Sequence, residues 1–187
     1  MSAISLQGNA GGTGTLTVAA PSTNTNRTLT LPDNTGTLIS TGSTFAGTGP
    51  AFSVTMSANQ SVTTSTYTQV QFNTEDFDTA SCYNNTGATV GSIPAYSFLP
   101  NVAGYYQVSA AIFPNTTVTA LNCAIYKNGT IFKTNGGTTT SAELSVLIYL
   151  NGSTDYISVF GYLVGTTPAI LSTSTVSYFT AAFVRAA

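Results

Sequence analysis

The chain has 187 residues, of which 42% are hydrophobic, 11% are aromatic and only 5% are charged. Four basic and six acidic side chains argue against nucleic-acid binding, because phosphates are neutralised by clustered lysine and arginine. They also argue against a membrane surface, which selects basic patches. The hydrophobic content is too high for a disordered chain, so the composition indicates β-structure made soluble by hydroxyl and amide side chains.

The first twelve residues contain neither a basic region nor an apolar stretch, so we predict no signal peptide. No apolar run approaches the roughly 20 residues of a membrane-spanning helix. We therefore expect the chain to be made and kept in a cytoplasm until something carries it out. The two cysteines, Cys82 and Cys123, are expected to be buried thiols rather than a disulfide, because thiols stay reduced in that compartment.

Residues 1–45 are predicted to form an extended, β-rich N-terminal arm for attachment. Three short stretches alternate threonine with aliphatic residues, which is the period of a half-buried strand, and turn residues separate them. Such short strands cannot bury a core alone, so we expect the arm to become ordered on copies of itself or on another protein, rather than to remain a floppy tail. The aliphatic residues expected to make the attachment are Leu16, Val18, Leu29, Leu31, Leu38 and Ile39.

A linker of small residues leads into a second region, residues 46–187, in which every strong pattern predicts a strand. In the stretch Ser97 to Phe113, Tyr106, Val108, Ala110 and Ile112 fall on one face of a strand, and the residues between them fall on the other. Asn128-Gly129 predicts a type I′ hairpin, and Asn151-Gly152 is a candidate for a second hairpin. A final strand closes the chain, and no amphipathic helix is predicted.

The run Leu144 to Leu150 is apolar on both faces of its predicted strand. In a sandwich of two sheets, one face of a strand meets the core and the other meets water. The final strand has the same property, since Tyr178 and Phe179 are adjacent. The second cover is most simply another subunit, so the pattern favours a self-associating sandwich or jelly roll.

Six short motifs follow one another from Pro50 to the C-terminal end. They are Pro50–Val54, Val70–Asn73, Tyr96–Val108, Lys127–Gly129, Leu150–Ile157 and Ser177–Phe183. In this order they resemble the complement-q and tumour-necrosis-factor superfamily, and more closely its complement-q side. The sequence departs from that pattern at Ala181, where glycine is usual, and at Ser153-Thr154, which are inserted before the aspartate.

The resemblance implies an all-β, ten-stranded, two-sheet jelly-roll sandwich that forms a homotrimer with aromatic residues along the threefold axis. On this basis the residues assigned to the trimer interface or the core are Phe72, Tyr106, Leu147, Tyr149, Tyr178, Phe179 and Phe183. The threonine-rich arm, in turn, resembles segments of structural proteins of tailed bacteriophages, in which such strands lead into a trimeric knob. Animal members of the superfamily carry a collagen-like stalk, but no Gly-X-Y repeat occurs here.

The chain has no histidine, which removes Ser-His-Asp and Cys-His nucleophile systems and most zinc sites. Glu75, Asp76 and Asp78 stand too close together in the sequence to flank a sugar as a catalytic pair. We therefore predict no catalytic site and no cofactor. The same three acids are candidate calcium ligands, but a solvated acidic turn is favoured, because calcium needs about six or more ligands.

The sequence therefore predicts a non-enzymatic structural protein of a bacteriophage virion, a homotrimeric surface knob that decorates or cements the capsid and attaches to the shell or tail through its arm. The alternative is a short tail fibre or fibre tip that binds a host-surface glycan or protein. Phe77, Tyr83 and Phe160 are candidate aromatic contacts for it, although aromatic residues in such a fold more often lie in the core or an interface. A remote alternative is a secreted trimeric ligand of the cytokine type. Decoration is favoured because the arm, even fully extended, reaches no more than about 150 Å, whereas fibres that span to a host are commonly longer chains.

Overall fold

The computed structural model describes residues 11–13, 17, 22, 24–26, 49–136 and 138–187. The expected attachment residues of the arm, from Leu16 to Ile39, lie outside this described part. The described residues contain thirteen β-strands and no helix, so no helix among them is long and apolar enough to cross a membrane. All thirteen strands belong to one compact unit, Ile39–Ala187.

The strands fall into two classes, long ones of five to nine residues and very short ones of two. They are β1 (Ala51–Thr55), β2 (Gln60–Ser61), β3 (Thr68–Gln69), β4 (Thr74–Asp78), β5 (Tyr83–Asn84), β6 (Ser97–Phe98), β7 (Gly104–Ile112), β8 (Ala120–Lys127), β9 (Thr130–Gly136), β10 (Ala142–Leu150), β11 (Ile157–Val164), β12 (Ala169–Ile170) and β13 (Tyr178–Ala186). The resemblance implied ten strands, and the number is higher here because several paired segments are only two residues long.

Two antiparallel sheets form the sandwich. The five-stranded sheet has the order β10-β7-β13-β1-β4, and the six-stranded sheet has the order β5-β6-β11-β8-β9 with β3 also paired to β11. A small third sheet pairs β12 with β2. The predicted all-β, two-sheet architecture is confirmed.

The core between the sheets is built around a cluster of aromatic rings. Phe52 lies at its centre, with ring centroids 4.6 Å from Phe98, 4.8 Å from Phe179 and 4.9 Å from Tyr83. Aliphatic side chains from both sheets complete the core, among them Val108, Ile125, Val159 and Leu163. Burial in this way is the main driving force for folding.

The alternation predicted for the stretch Ser97 to Phe113 is confirmed in β7. Tyr106, Val108, Ala110 and Ile112 are buried, and Tyr105 on the opposite face is exposed. The same alternation places Ile148 and Leu150 of β10 in the core and leaves Tyr149, which lies between them, on the outer side. The strand period therefore positions one apolar set inside and a second set on the surface.

The two Asn-Gly pairs have different outcomes. Asn128 and Gly129 have φ angles of 51° and 78°, and they join β8 to β9 as the predicted hairpin. The hairpin predicted at Asn151-Gly152 is wrong, because β10 pairs with β7 while β11 pairs with β8. Residues 151–156 instead carry the chain from one sheet to the other. The Asn151 side-chain oxygen accepts hydrogen bonds from three following backbone N–H groups and fixes this turn.

Both cysteines are free and buried, as predicted. Cys123 lies on the core face of β8, where burial raises the pKa of its thiol to about 12. At neutral pH this thiol stays protonated and behaves as a small hydrophobic group.

Candidate functional site

In the described part of the chain, no strand covers the outward side of the five-stranded sheet, and we call this surface the five-stranded face. Strand register brings its residues into rows: Leu147 of β10 stands beside Gln107 of β7, which stands beside Ala182 of β13. The face consists of Tyr105, Gln107, Ser109, Ser145, Leu147, Tyr149, Tyr178, Thr180 and Ala182. It arises because the central positions of these strands carry uncharged side chains on both sides of the pleat.

The five-stranded face combines exposed apolar side chains with a paired polar centre. Leu147 is 55% exposed, Tyr149 is 40% exposed and Tyr105 is 38% exposed. Gln107 donates a 2.8 Å hydrogen bond to the Ser145 hydroxyl. Because these polar groups are already paired within the sheet, covering the face would not leave them unsatisfied.

On β7, β10 and β13, charge is confined to the ends of the five-stranded face. Glu143 pairs in register with Ala111 at one end of β7, and Arg185 pairs with Tyr105 at the other end. Depletion of charge at the centre of a patch with aromatic residues is the composition of an interface core. The arrangement is suited to contact with another protein surface.

A second apolar surface lies at a sheet edge. Among the described strands, β9 pairs with β8 alone, and all seven residues of β9 are exposed. Ile131 is 43% exposed and Phe132 is 36% exposed. Of the eight large hydrophobic residues exposed in the described part of the chain, these two lie on β9 and five lie on strands of the five-stranded sheet.

The structure divides the predicted interface-or-core residues into two groups. Phe72, Tyr106 and Phe179 are fully buried, and Phe183 packs on Tyr106 with ring centroids 5.4 Å apart. Leu147, Tyr149 and Tyr178 instead lie on the five-stranded face. Sequence reasoning omitted Tyr105 and Gln107 from the candidate residues, although the alternation of β7 placed both opposite its buried side.

The acidic cluster of Glu75, Asp76 and Asp78 lies on the edge strand β4, whereas the sequence suggested an acidic turn. Asp76 accepts a 2.8 Å hydrogen bond from the Ser53 hydroxyl, and Asp78 accepts one of 2.7 Å from the Tyr83 backbone N–H. Partial burial, together with the charge of Asp78, raises the pKa of Glu75. Within the described residues no three His, Cys, Asp or Glu side chains come together as a metal site.

The three candidate aromatic contacts lie in different places. Phe77 is 50% exposed on β4. Tyr83 is buried and donates a 2.9 Å hydrogen bond to the Phe72 carbonyl, so its interpretation as an exposed contact is wrong. Phe160 is half-buried on the outer side of the six-stranded sheet, where it stacks on Tyr126.

Two open clefts in the described part have no charged side chain in their lining. One cleft of about 550 Å³ is lined by residues 114–118 with Thr139 and Thr140, and none of these side chains is charged or a thiol. A second, of about 410 Å³, is lined by Gly49, Pro50, Ala51, Thr79, Ala80, Asn101 and Val102. Neither brings together a nucleophile and a base, which a hydrolytic site requires.

No family model matches the chain, and no curated protein matches it. Among solved structures, murine APRIL at pH 8.0 is similar, with a TM-score of 0.57 and 9% identity over 73% of this chain and 100% of that one. The Eiger tumour necrosis factor of S. frugiperda has a TM-score of 0.51 and 10% identity, over 76% of this chain and 96% of its own. The match to the PRD1 vertex protein P5 has a TM-score of 0.48 and 14% identity, over 74% of this chain and 99% of that one.

These likenesses concern the fold alone. The chain has the jelly-roll sandwich of tumour-necrosis-factor-like structures, as the sequence predicted. A shared sandwich fold carries no function by itself, because one fold hosts many unrelated activities.

Proposed function

We propose that this protein is a non-enzymatic structural component of a bacteriophage particle, a homotrimeric knob that decorates the capsid. The observation that carries the proposal is the five-stranded face, on which Tyr105, Leu147 and Tyr149 are exposed beside paired polar groups. Surfaces of this kind are uncommon on monomers and mark sites of protein association. The low total charge supports the proposal, since weakly charged chains repel one another little.

A closed ring of three subunits needs two different patches on each subunit, because its contacts run head to tail. The five-stranded face supplies one patch, and the β9 edge with Ile131 and Phe132 supplies a second. In the proposed trimer the β9 edge of one subunit packs on the five-stranded face of the next. This contact also covers an edge strand that would otherwise invite uncontrolled pairing.

Attachment to the particle is assigned to residues 1–45, whose threonine-aliphatic alternation resembles phage structural proteins. The arm orders when it pairs with the capsid shell.

The copy number in purified phage particles, measured by quantitative mass spectrometry, tests this function. Decoration predicts an abundance comparable to that of the shell protein. A few copies per particle would replace decoration with a fibre or fibre tip, and absence from the particle would overturn the virion assignment.

The arm is tested in the same particles with a variant that lacks residues 1–45. This variant is expected to disappear from the particle, while Val90→Ala, a change at an exposed loop position, is incorporated normally. Normal incorporation of the truncated chain would show that the arm is not the anchor.

A further inference from the structure

Four aromatic side chains lie together on the outer side of the six-stranded sheet, and we call them the aromatic patch: Tyr67, Tyr126, Phe160 and Tyr162. Tyr126 and Phe160 stack with ring centroids 3.9 Å apart and an interplanar angle of 25°. The Tyr67 ring lies 5.2 Å from that of Tyr162 and 6.2 Å from that of Tyr126. All four side chains keep part of their surface in contact with solvent.

The patch is held in place by its own hydrogen bonds. Tyr67 directly precedes β3, yet its hydroxyl lies 3.2 Å from the Thr134 hydroxyl on β9. The side chain therefore crosses β11 and β8, and the Asn122 amide, 3.5 Å away, donates to the same hydroxyl. Beneath the rings, Ala124 is completely buried. A fixed patch of this kind loses little entropy when it binds a ligand.

On the two strands that carry most of the patch, the outward positions are uncharged. The outward positions of β8 are Ala120, Asn122, Ala124 and Tyr126, and those of β11 are Ser158, Phe160, Tyr162 and Val164. Within the described residues the Tyr126 and Tyr162 hydroxyls make no hydrogen bond. Each of these hydroxyls can therefore donate to a ligand and accept from it.

We propose that the aromatic patch binds neutral saccharide units of a surface glycan. The faces of aromatic rings carry partial negative charge, and they attract the partially positive C–H groups on the flat side of a pyranose ring. The Asn122 amide and the tyrosine hydroxyls pair with sugar hydroxyls at the rim of the patch. An uncharged patch offers no partner for the carboxylate or sulfate groups of acidic glycans.

The patch lies on the sheet opposite the five-stranded face, but Tyr126 stands beside Ile131 of the β9 edge. It stays exposed in the proposed trimer when the contact uses the β9 edge and leaves the outer side of β8 and β11 free, a point that rests on the proposed function. Three copies on one knob strengthen binding to a repeating polysaccharide through avidity. Glycan binding by the knob is compatible with decoration of the capsid and with a place at a fibre tip.

The test is binding of the full-length protein to an array of immobilised neutral and acidic bacterial surface polysaccharides. The wild type is expected to bind at least one neutral polysaccharide. Tyr126→Ala and Tyr162→Ala are each expected to weaken that binding by about tenfold or more. The matched control is Phe77→Ala, which removes a half-exposed aromatic side chain from the other sheet and is expected to bind as the wild type does.

Three results would overturn the inference: no binding to any neutral polysaccharide, binding to acidic ones only, or unchanged binding by both alanine variants. If the alanine variants unfold, Tyr162→Phe decides, because it keeps the ring and removes one hydroxyl. It is expected to weaken binding several-fold, and wild-type affinity in that variant would also count against the patch.

Light scattering on the same samples separates this inference from the proposed function. A trimer that binds no neutral polysaccharide overturns the glycan site alone. A monomer that binds one overturns the proposed assembly alone.

Discussion

Tyr105 and Tyr149 face each other across β7 and β10 on the five-stranded face, with ring centroids 5.7 Å apart and an interplanar angle of 58°. They occupy directly opposed register positions. Such a cross-strand aromatic pair stabilises the sheet and at the same time presents a broad apolar surface. Leu147, on the same side of β10, extends this surface along the strand towards its middle.

The first prediction concerns Leu147→Asp. A carboxylate at this position would be buried without a partner in the proposed subunit contact, so the variant is expected to dissociate into monomers that remain folded. Val90→Asp is the matched control, since Val90 is 56% exposed against 55% for Leu147 but lies in a loop outside both proposed contact surfaces. Sedimentation velocity distinguishes the two, and equal masses for the variants would contradict the assignment of the interface.

Phe52→Ala is expected to be strongly destabilising. Its ring contacts Tyr83, Phe98 and Phe179, and its removal leaves a cavity that costs about 3–5 kcal/mol. Phe77→Ala removes a ring of the same size that is 50% exposed, and it is expected to change the free energy of unfolding by only about 0.5 kcal/mol. Denaturant titration at one protein concentration measures both, and similar losses would show that the aromatic cluster is not the centre of the core.

The end of β8 is tied to the connection between the sheets by Lys127. Its ammonium lies 2.8 Å from the Asp155 carboxylate and donates a 2.9 Å hydrogen bond to the Tyr149 carbonyl. Lys127→Met is expected to cost about 1–2 kcal/mol, because it removes the ion pair and leaves that carbonyl unpaired. Lys133→Met is the control, since in the described part of the chain Lys133 forms no salt bridge.

The same ion pair makes part of the stability depend on pH. Burial alone would raise the pKa of Asp155, but hydrogen bonds from Lys127 and Asn128 and the Lys127 charge lower it below 3.8. The stabilisation is present above the unfolded value of 3.8 and is lost as the pH falls through the folded value. The difference in free energy of unfolding between the wild type and Lys127→Met is therefore expected to shrink as the pH falls through the folded pKa of Asp155. A difference that stays constant in acid would contradict a stabilising ion pair between Lys127 and Asp155.

Gly152→Ala is expected to destabilise the connection that changes sheets. Gly152 has a φ of 72°, and an added Cβ would lie 2.4 Å from the Ala103 backbone nitrogen. Gly91 has a φ of 59° with open space around it, so Gly91→Ala costs only the backbone strain of about 1–2 kcal/mol. Thermal unfolding is expected to show the larger loss for Gly152→Ala, and equal losses would mean that the turn relaxes away from Ala103.

The sequence predicted those features that depend on local alternation or a local turn. β7 obeyed its period because one of its faces is buried over its whole length. The Asn128-Gly129 hairpin formed because both residues have positive φ. The same chemistry misled at Asn151-Gly152, where a positive φ is equally needed by a turn that leaves its sheet.

Other features depend on contacts between residues that are distant in the sequence. By its sequence Tyr83 is a candidate for an exposed aromatic contact, but in the structure its hydroxyl donates a hydrogen bond to the Phe72 carbonyl inside the core. Tyr67 meets Thr134, which is 67 residues further along the chain, and no local pattern brings these two together. The grouping of the four rings into the aromatic patch therefore cannot be predicted from the sequence, although Phe160, one of its members, is a candidate contact.

The proposed homotrimer is tested by the mass of the intact chain in solution, measured by multi-angle light scattering. We expect a single species with three times the 19.2 kDa of one chain. A stable species of 19.2 kDa would contradict it, because the five-stranded face and the β9 edge would then both remain open to solvent.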